Sequence, residues 1–351
     1  MDSGFVSVGG SSHRNPNSLL VDACRAVRRG KTDMSPLMLL VAKRLAAGFL
    51  TLIAVSLLIF LSVEALPGDP ATAILGQQAT PENVRALRQE LKLDLPPHIR
   101  YLSWLNDLMH ADLGKSLSNK RPVAEMIGWR FSNTVFLAGT TALVAVPLAI
   151  VLGMLAALYR NSWLDRLISI SSLCAISFPE FFLGYILIAL FSMKFNLFAS
   201  MASIDPQMPL LEKIYNIILP CATLLMLVLA HMMRMTRASI IGVLSSPYIE
   251  MARLKGIRER RIIVHHAVPN SLSPIINVVV MDLAWLIVGV VVVEVVFVYP
   301  GLGQLLVDSV AKRDLPVVQA CVLIFAGTYI LLNLMADILA IATNPKLRGM
   351  R

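Results

Sequence analysis

Charge is what this sequence has least of. Only 15 % of its 351 residues are Asp, Glu, Lys or Arg, while 56 % are hydrophobic; soluble domains carry roughly a quarter charged residues. A water-soluble globule is excluded on that ground. Cysteine is also sparse. Cys24, Cys174, Cys221 and Cys321 have neither metal-ligand nor redox spacing, and three of them lie in apolar runs, so all four read as reduced and inert. No G-x-x-x-x-G-K-[ST] loop occurs to cradle a nucleotide phosphate, so ATP hydrolysis is not expected from this chain. A nucleophile elbow, a His-Glu metal helix and a plausible triad are missing too, which leaves an intramembrane enzyme without residues to run it. Residues 1–33 are polar and mixed and lack the apolar stretch of a signal peptide. They read as a cytoplasmic tail, or as an upstream extension if translation starts at Met34. No internal repeat is evident, which argues against the repeat-built secondary carriers.

What the sequence does have is long apolar blocks. Crossing a hydrocarbon layer about 30 Å thick takes roughly 20 residues of helix. Six blocks satisfy this, at 45–63, 134–159, 164–193, 214–235, 274–298 and 317–342. The expected fold is an all-α integral membrane protein with six transmembrane helices. Lys43 and Arg44 mark the inner edge of the first span, and Lys and Arg concentrate on the side of the two termini, which places both termini in the cytoplasm. That asymmetry absorbs the net charge of +9. Nucleic acid is not an expected partner, since aromatic interleaving is absent. Pro67-Gly68-Asp69-Pro70 cannot continue a helix, so the chain turns as it leaves the bilayer. The resulting map is a tail at 1–42, a first transmembrane helix at 43–66, a folded outer domain at 67–132, a core at 133–343 and a tail at 344–351. The core contains an inner loop at 236–273.

That loop is strongly basic and heavily punctuated. Ser246-Pro247 reads as a helix start, with Glu250 near the positive end of the helix dipole, and Gly256 as its stop. A second helix over 257–266 is expected to break at Pro269, and Ser273-Pro274 to restart the chain as the fifth span. A loop that only fixed orientation would need charge but not this helix-turn-helix punctuation. Its bases can also meet anionic headgroups of membrane lipid, each worth about 1 kcal/mol. His265-His266 invites a metal reading, yet adjacent histidines leave a helix on different sides, and no zinc-type i, i+4 partner is present.

Acids inside spans are costly, about 2.5–3.5 kcal/mol for Asp on insertion scales, and tend to face a cavity or a partner. Glu180 follows Pro179 in the third span, and Asp282 lies in the inner half of the fifth; both are assigned to a translocation path. Glu294 is assigned there as well, although for Glu294 and Asp337, near span ends, snorkelling or capping of a neighbouring helix is the plainer reading.

The stretch Tyr248-Ile-Glu250-Met-Ala252-Arg253-Leu-Lys255-Gly256, with Arg260-Arg261 and His266 to Asn270 and Pro274, resembles the EAA loop of ABC importer permeases. It is most similar to the peptide-and-nickel branch, whose usual Ala-Arg-Ala-Lys-Gly departs here at Leu254; Met251 also replaces a common alanine. Further likenesses occur in order along the chain: Pro67 to Pro70, Asp94 to Tyr101, Asp112 to Ser116, Arg121 to Val123, Glu294 to Gly303 with Arg313 to Pro316, and Asn333 to Asp337 with Asn344 to Arg348. The family usually ends in Asp-Pro-Arg, so Asn344 departs.

The resemblance implies a type I importer permease core with a periplasmic insertion between helices one and two, in a bacterial inner membrane. It implies a homologous second permease subunit, two ATPase subunits that hold ATP and Mg, and a periplasmic substrate-binding protein, with no cofactor on this chain. Tyr248, Glu250, Ala252, Arg253, Lys255, Gly256, Asn270 and Pro274 are the implied ATPase-coupling residues. Substrates of the branch are di- and oligopeptides, with nickel and glycoside- or opine-like compounds as alternatives. The competing class is a proton-coupled secondary carrier using Glu180 and Asp282 as relay.

Overall fold

The computed structural model describes residues 36–65, 68–90 and 92–343. Residues 1–35 of the expected N-terminal tail, with Cys24, Pro67 of the first turn motif, and the C-terminal stretch from Asn344 lie outside the described residues. The chain divides into a short unit ending at Lys43 and a second unit, from Arg44 onward, that holds the membrane core. The helices are α1 (Pro36–Glu64), α2 (Pro70–Leu75), α3 (Pro81–Glu90), α4 (Pro97–Met109), α5 (Val123–Leu158), α6 (Trp163–Ser177), α7 (Glu180–Leu187), α8 (Leu210–Asn216), α9 (Ile218–Leu244), α10 (Pro247–Leu254), α11 (Glu259–Ile262), α12 (Val268–Val296), α13 (Leu302–Ala311) and α14 (Leu315–Thr343). A 3-10 turn, Gly76–Gln78, follows α2, and π-helical segments Ile188–Lys194 and Ile263–Ala267 follow α7 and α11. Among the described residues the only β pairing is an isolated bridge between Lys115 and Pro122.

Among the described residues, five helical stretches are long and apolar enough to cross a membrane: Val41–Glu64, Val123–Leu158, Ile218–Leu244, Glu259–Val296 and Leu315–Leu339. The third expected span is instead a pair, Trp163–Ser177 and Glu180–Lys194, bent by 104°. Counted as one crossing, it gives six. The bend falls at Phe178-Pro179, where proline removes a backbone donor and forces the preceding residue out of the helical region; Phe178 has φ −102° and ψ 138°.

Helix ends differ from the apolar blocks because a helix need not stop where the lipid does. The second span begins at Val123, eleven residues before the apolar block, and the fourth runs on to Leu244. Pro269 and Pro274 do not break the chain either, which corrects the expected restart at the fifth span. Glu259–Val296 is one continuous helical stretch. The π turn Ile263–Ala267 precedes Pro269, which stands in the first turn of α12. A widened turn is a known way for a helix to accommodate local disruption.

The main core joins α5, α9 and α12 through Leu137, Ala149, Leu224, Met232, Leu286 and Val290. Small residues let α5 and α9 approach closely: Ala145, Ala149 and Gly153 recur every four positions and are all buried. A Cβ on Gly153 would stand 2.7 Å from the Met233 carbonyl oxygen and 2.7 Å from Thr236 Cβ. By contrast α1 exposes Phe49, Leu50 and Leu58, and meets α14 through Gly48 against Ile330 and an Arg44–Asp337 pair at 3.0 Å. The C-terminal end of α1 carries α4, through Tyr101 edge-on to Phe60 and an Arg100–Glu64 ion pair.

Candidate functional site

Three polar constellations stand out from this apolar frame, one at each end of the long helices and one between them.

At the end of α12 next to α13, Glu294 is fully buried. Its carboxylate accepts from Thr134 Oγ1 at 2.6 Å, Gly303 N at 2.7 Å and Gln304 N at 3.2 Å. Those two amides belong to the first turn of α13, whose orphan donors and positive dipole end favour an anion. Thr134 Oγ1 in turn accepts from Leu302 N at 2.8 Å. Tyr299 donates to the Asn133 carbonyl at 2.7 Å, and Asn133 Nδ2 donates to Pro300 O at 2.9 Å. Burial, with the Glu294 carboxylate beside it, pushes the Tyr299 phenol above its ordinary range and keeps it a donor. A path residue must present surface to the solute. Glu294 presents none in this arrangement: its carboxylate caps a neighbouring helix and locks α5 to the turn after α12. Gly301 and Gly303 leave the room, since a Cβ on Gly301 would overlap the Glu294 carboxylate, and one on Gly303 would meet Val291 Cα at 2.7 Å. A second anchor lies nearby. Asp314, buried ahead of α14, accepts from Ser116 Oγ, from Leu117 N at 2.9 Å and from Ser118 N at 3.3 Å, tying the outer domain to the last helix.

Within the membrane, Glu180 and Asp282 lie on one face. Asp282 is 8 % exposed and its Oδ1 is 2.8 Å from His231 Nδ1 on α9. The pair opens on a cavity of about 480 Å³ that Arg234, Trp285 and Tyr329 also line. Glu180, at the start of α7, reaches toward Gly289, where an added Cβ would come within 3.3 Å of its Oε1. It borders a second cavity of about 390 Å³, and Leu227 and Trp285 line both. Sequence reasoning misses His231; an ionisable residue inside an apolar block is the signal that could have found it.

At the opposite end of α5, Asp165 and Arg237 make a bidentate pair at 2.7 and 2.8 Å that ties α6 to α9. Ser162 caps α6, accepting from Asp165 N at 3.3 Å, while Asp165 Oδ2 accepts from Asn161 N at 2.9 Å. The loop proper starts with Ser246 in extended backbone and Pro247 at the head of α10. Only Ile249 of α10 is buried; Tyr248, Met251 and Leu254 are exposed, the last by 78 %. Met251 and Leu254, spaced by three, share an outward apolar face, while the Tyr248 hydroxyl turns back to donate to the His266 carbonyl at 3.5 Å. Glu250, Arg253, Lys255 and Gly256 are exposed as well, and Ala252 is half-buried. Gly256 has φ +73°, with the Ile257 amide donating back to the Ala252 carbonyl at 3.3 Å. No atom lies within 4 Å of an added Cβ there, so the requirement for glycine is conformational, not steric. Arg253 pairs with Glu259 at 2.8 Å, clamping α10 to α11. Asn270 Nδ2 donates to the His266 carbonyl at 2.7 Å, four residues back, and so turns inward on its own helix. Pro274 lies inside α12, well after the turn. Beside α10 is an open basic cleft lined by Arg258, Arg260, Arg261 and His265.

α10 thus exposes Met251 and Leu254 at one end of an α-helical membrane core. The chain belongs to the binding-protein-dependent transport system inner membrane component family, whose model matches residues 149–349. The N-terminal model for such membrane components matches residues 37–138. It is thus an ABC importer inner-membrane permease of the peptide-and-nickel branch, with the type I permease fold. Among curated proteins it is 40 % identical to the glutathione transport system permease protein GsiC of Escherichia coli O6:H1 over 308 residues, 88 % of this chain and 98 % of that one. The GsiC protein of Shigella dysenteriae serotype 1 is 40 % identical, and that of Salmonella paratyphi A 39 %, over the same 308 residues. Family membership also brings a substrate-binding protein and ATPase partners.

Proposed function

We propose that this chain carries short peptides across the inner membrane, paired with a homologous second permease and driven by two ATPase subunits that bind α10. The exposed stripe of Met251 and Leu254 on a helix rigidly punctuated at both ends carries this reading. A helix with one buried residue gains little from its own protein, and an apolar stripe directed outward on the water side fits a partner's cleft. Glu250 and Lys255 supply charges at its rim, the Arg253–Glu259 clamp passes its displacement to α11, and the continuous stretch Glu259–Val296 passes it through the membrane. ATP and Mg belong to the partner ATPases. The substrate class follows the relatives named for glutathione transport, a tripeptide-sized solute. In this reading both termini lie in the cytoplasm, the side favoured by the Lys and Arg distribution.

Alternating access is then a two-state equilibrium that ATP binding shifts through contacts made at α10 in one state only. The test is peptide uptake into proteoliposomes. The full assembly with its binding protein should import only with internal or external ATP reaching the ATPases, and this chain alone should import nothing under a pH gradient. Proton-driven uptake by the isolated chain would replace this reading with the secondary carrier.

A further inference from the structure

We infer that the Asp282–His231 cavity is a subsite on the translocation path that receives the free ammonium group of the substrate, with Glu180 the stop before it. This rests on the reading of the chain as a peptide permease. Asp282 is 8 % exposed as a residue and 11 % at its side chain, and its Oδ2 is enclosed without a hydrogen-bond partner; half-buried Glu180 likewise has an enclosed, unpartnered Oε2. Buried carboxylate oxygens cost free energy unless something donates to them. Here each of the two borders a cavity, and the cavities adjoin through Leu227 and Trp285.

Register places the two acids in series along the membrane normal. Glu180 packs beside Gly289, seven residues outward of Asp282 on α12, or about 10 Å at 1.5 Å per residue. A solute moving inward meets Glu180, then Trp285, then Asp282. The inner cavity, at about 480 Å³, lies within the roughly 300–1,000 Å³ usual for small-molecule sites. Its chemistry suits a zwitterion. Asp282 offers an acceptor, Trp285 offers a ring face for a cation, and Arg234, one turn inward of His231, offers a donor for a carboxylate. Lipid cannot serve as the neighbour of this face: His231 has a side chain 47 % exposed beside Arg234, and such groups avoid hydrocarbon. Water and solute, enclosed by a second permease, can. Weak binding at two sites in series also suits passage, because a solute must leave each as readily as it enters.

The experiment places a thiol at Met281, which is 62 % exposed beside Asp282. Met281→Cys in the assembled complex is labelled with cationic aminoethyl and anionic sulfonatoethyl methanethiosulfonate. Each rate is read by mass spectrometry of the peptide containing position 281, and normalised to the reagent's rate with a free thiol. The cationic reagent should be favoured about tenfold or more, as expected when an opposite charge stands nearby in a poorly solvated site. Asp282→Asn in the same background should bring the ratio close to one. Glycyl-leucine should slow labelling and N-acetyl-glycyl-leucine should not, an arm that needs no change at Asp282 and decides the matter if Asp282→Asn fails to assemble. Equal normalised rates with Asp282 in place, or equal protection by both peptides, overturns the subsite. If the unaltered assembly imports no peptide with ATP, the functional reading itself fails, whatever the labelling ratio.

Discussion

Replacing Glu294 by alanine should cost the protein more stability than any other single polar change at its outer end. Three donors converge on this carboxylate: Thr134 Oγ1, Gly303 N and Gln304 N. Each buried donor left without a partner costs about 1–3 kcal/mol. Some of the sum is recovered, because a buried carboxylate no longer has to be desolvated, and a net loss of about 3–5 kcal/mol is expected, as when one side of a buried charged arrangement is removed. At about 2.1 cal/mol/K of unfolding entropy per residue, a chain of 351 residues shifts by roughly 1.4 °C per kcal/mol, so Tm should fall by about 4–7 °C. Glu294→Gln keeps the shape and one acceptor oxygen but turns an amide donor toward donors, so its loss should be about half as large. Gly301→Ala attacks the same contact from the other side, since its methyl overlaps the carboxylate. The assay is thermal unfolding of the detergent-solubilised chain, followed by tryptophan fluorescence. A Tm for Glu294→Ala within about 1 °C of the parent would show that the hydrogen bonds do not hold α5 to the turn after α12, since even one lost buried bond should move it further.

Gly256→Leu should lower uptake per ATP hydrolysed, because a non-glycine residue at φ +73° costs about 1–2 kcal/mol and the turn after α10 shifts to relieve it. Gly256→Asn should retain most of the coupling, a rescue that a steric requirement would not give. Gly153→Leu should abolish assembly of the chain in membranes, read by size-exclusion chromatography after extraction, since the Met233 carbonyl leaves no space for even a methyl. Asp314→Ala should free residues 116–118 from the last helix and raise the rate of limited proteolysis in the outer domain severalfold, with the inner loop cleaved as before.

The lipid-crossing blocks were legible because hydropathy is set residue by residue, whereas helix ends were not, because polar turns such as Val123 to Asn133 continue a helix beyond the lipid with little apolar signal. The start of α10 at Ser246-Pro247 and the turn at Gly256 were readable from local chemistry alone. Pro269 and Pro274 misled for the same local reason: a widened turn and a long helix absorb them, and no single-residue rule anticipates that. Glu294 carried an unresolved choice between path and cap that depended on Thr134, 160 positions away. The Asp165–Arg237 pair was invisible in the same way, with its partners 72 residues apart. Asp282 needed His231, and neither residue alone indicates a cavity.

The central claim is that α10 is held by the ATPase, and chemical proximity tests it most directly. Met251→Cys and Leu254→Cys place thiols on the exposed stripe. In membranes containing the whole assembly, a short bifunctional maleimide should join either position to the ATPase subunit, and ATP binding should change the yield. Cross-links to lipid-embedded neighbours alone, with none to the ATPase in any nucleotide state, would contradict the account.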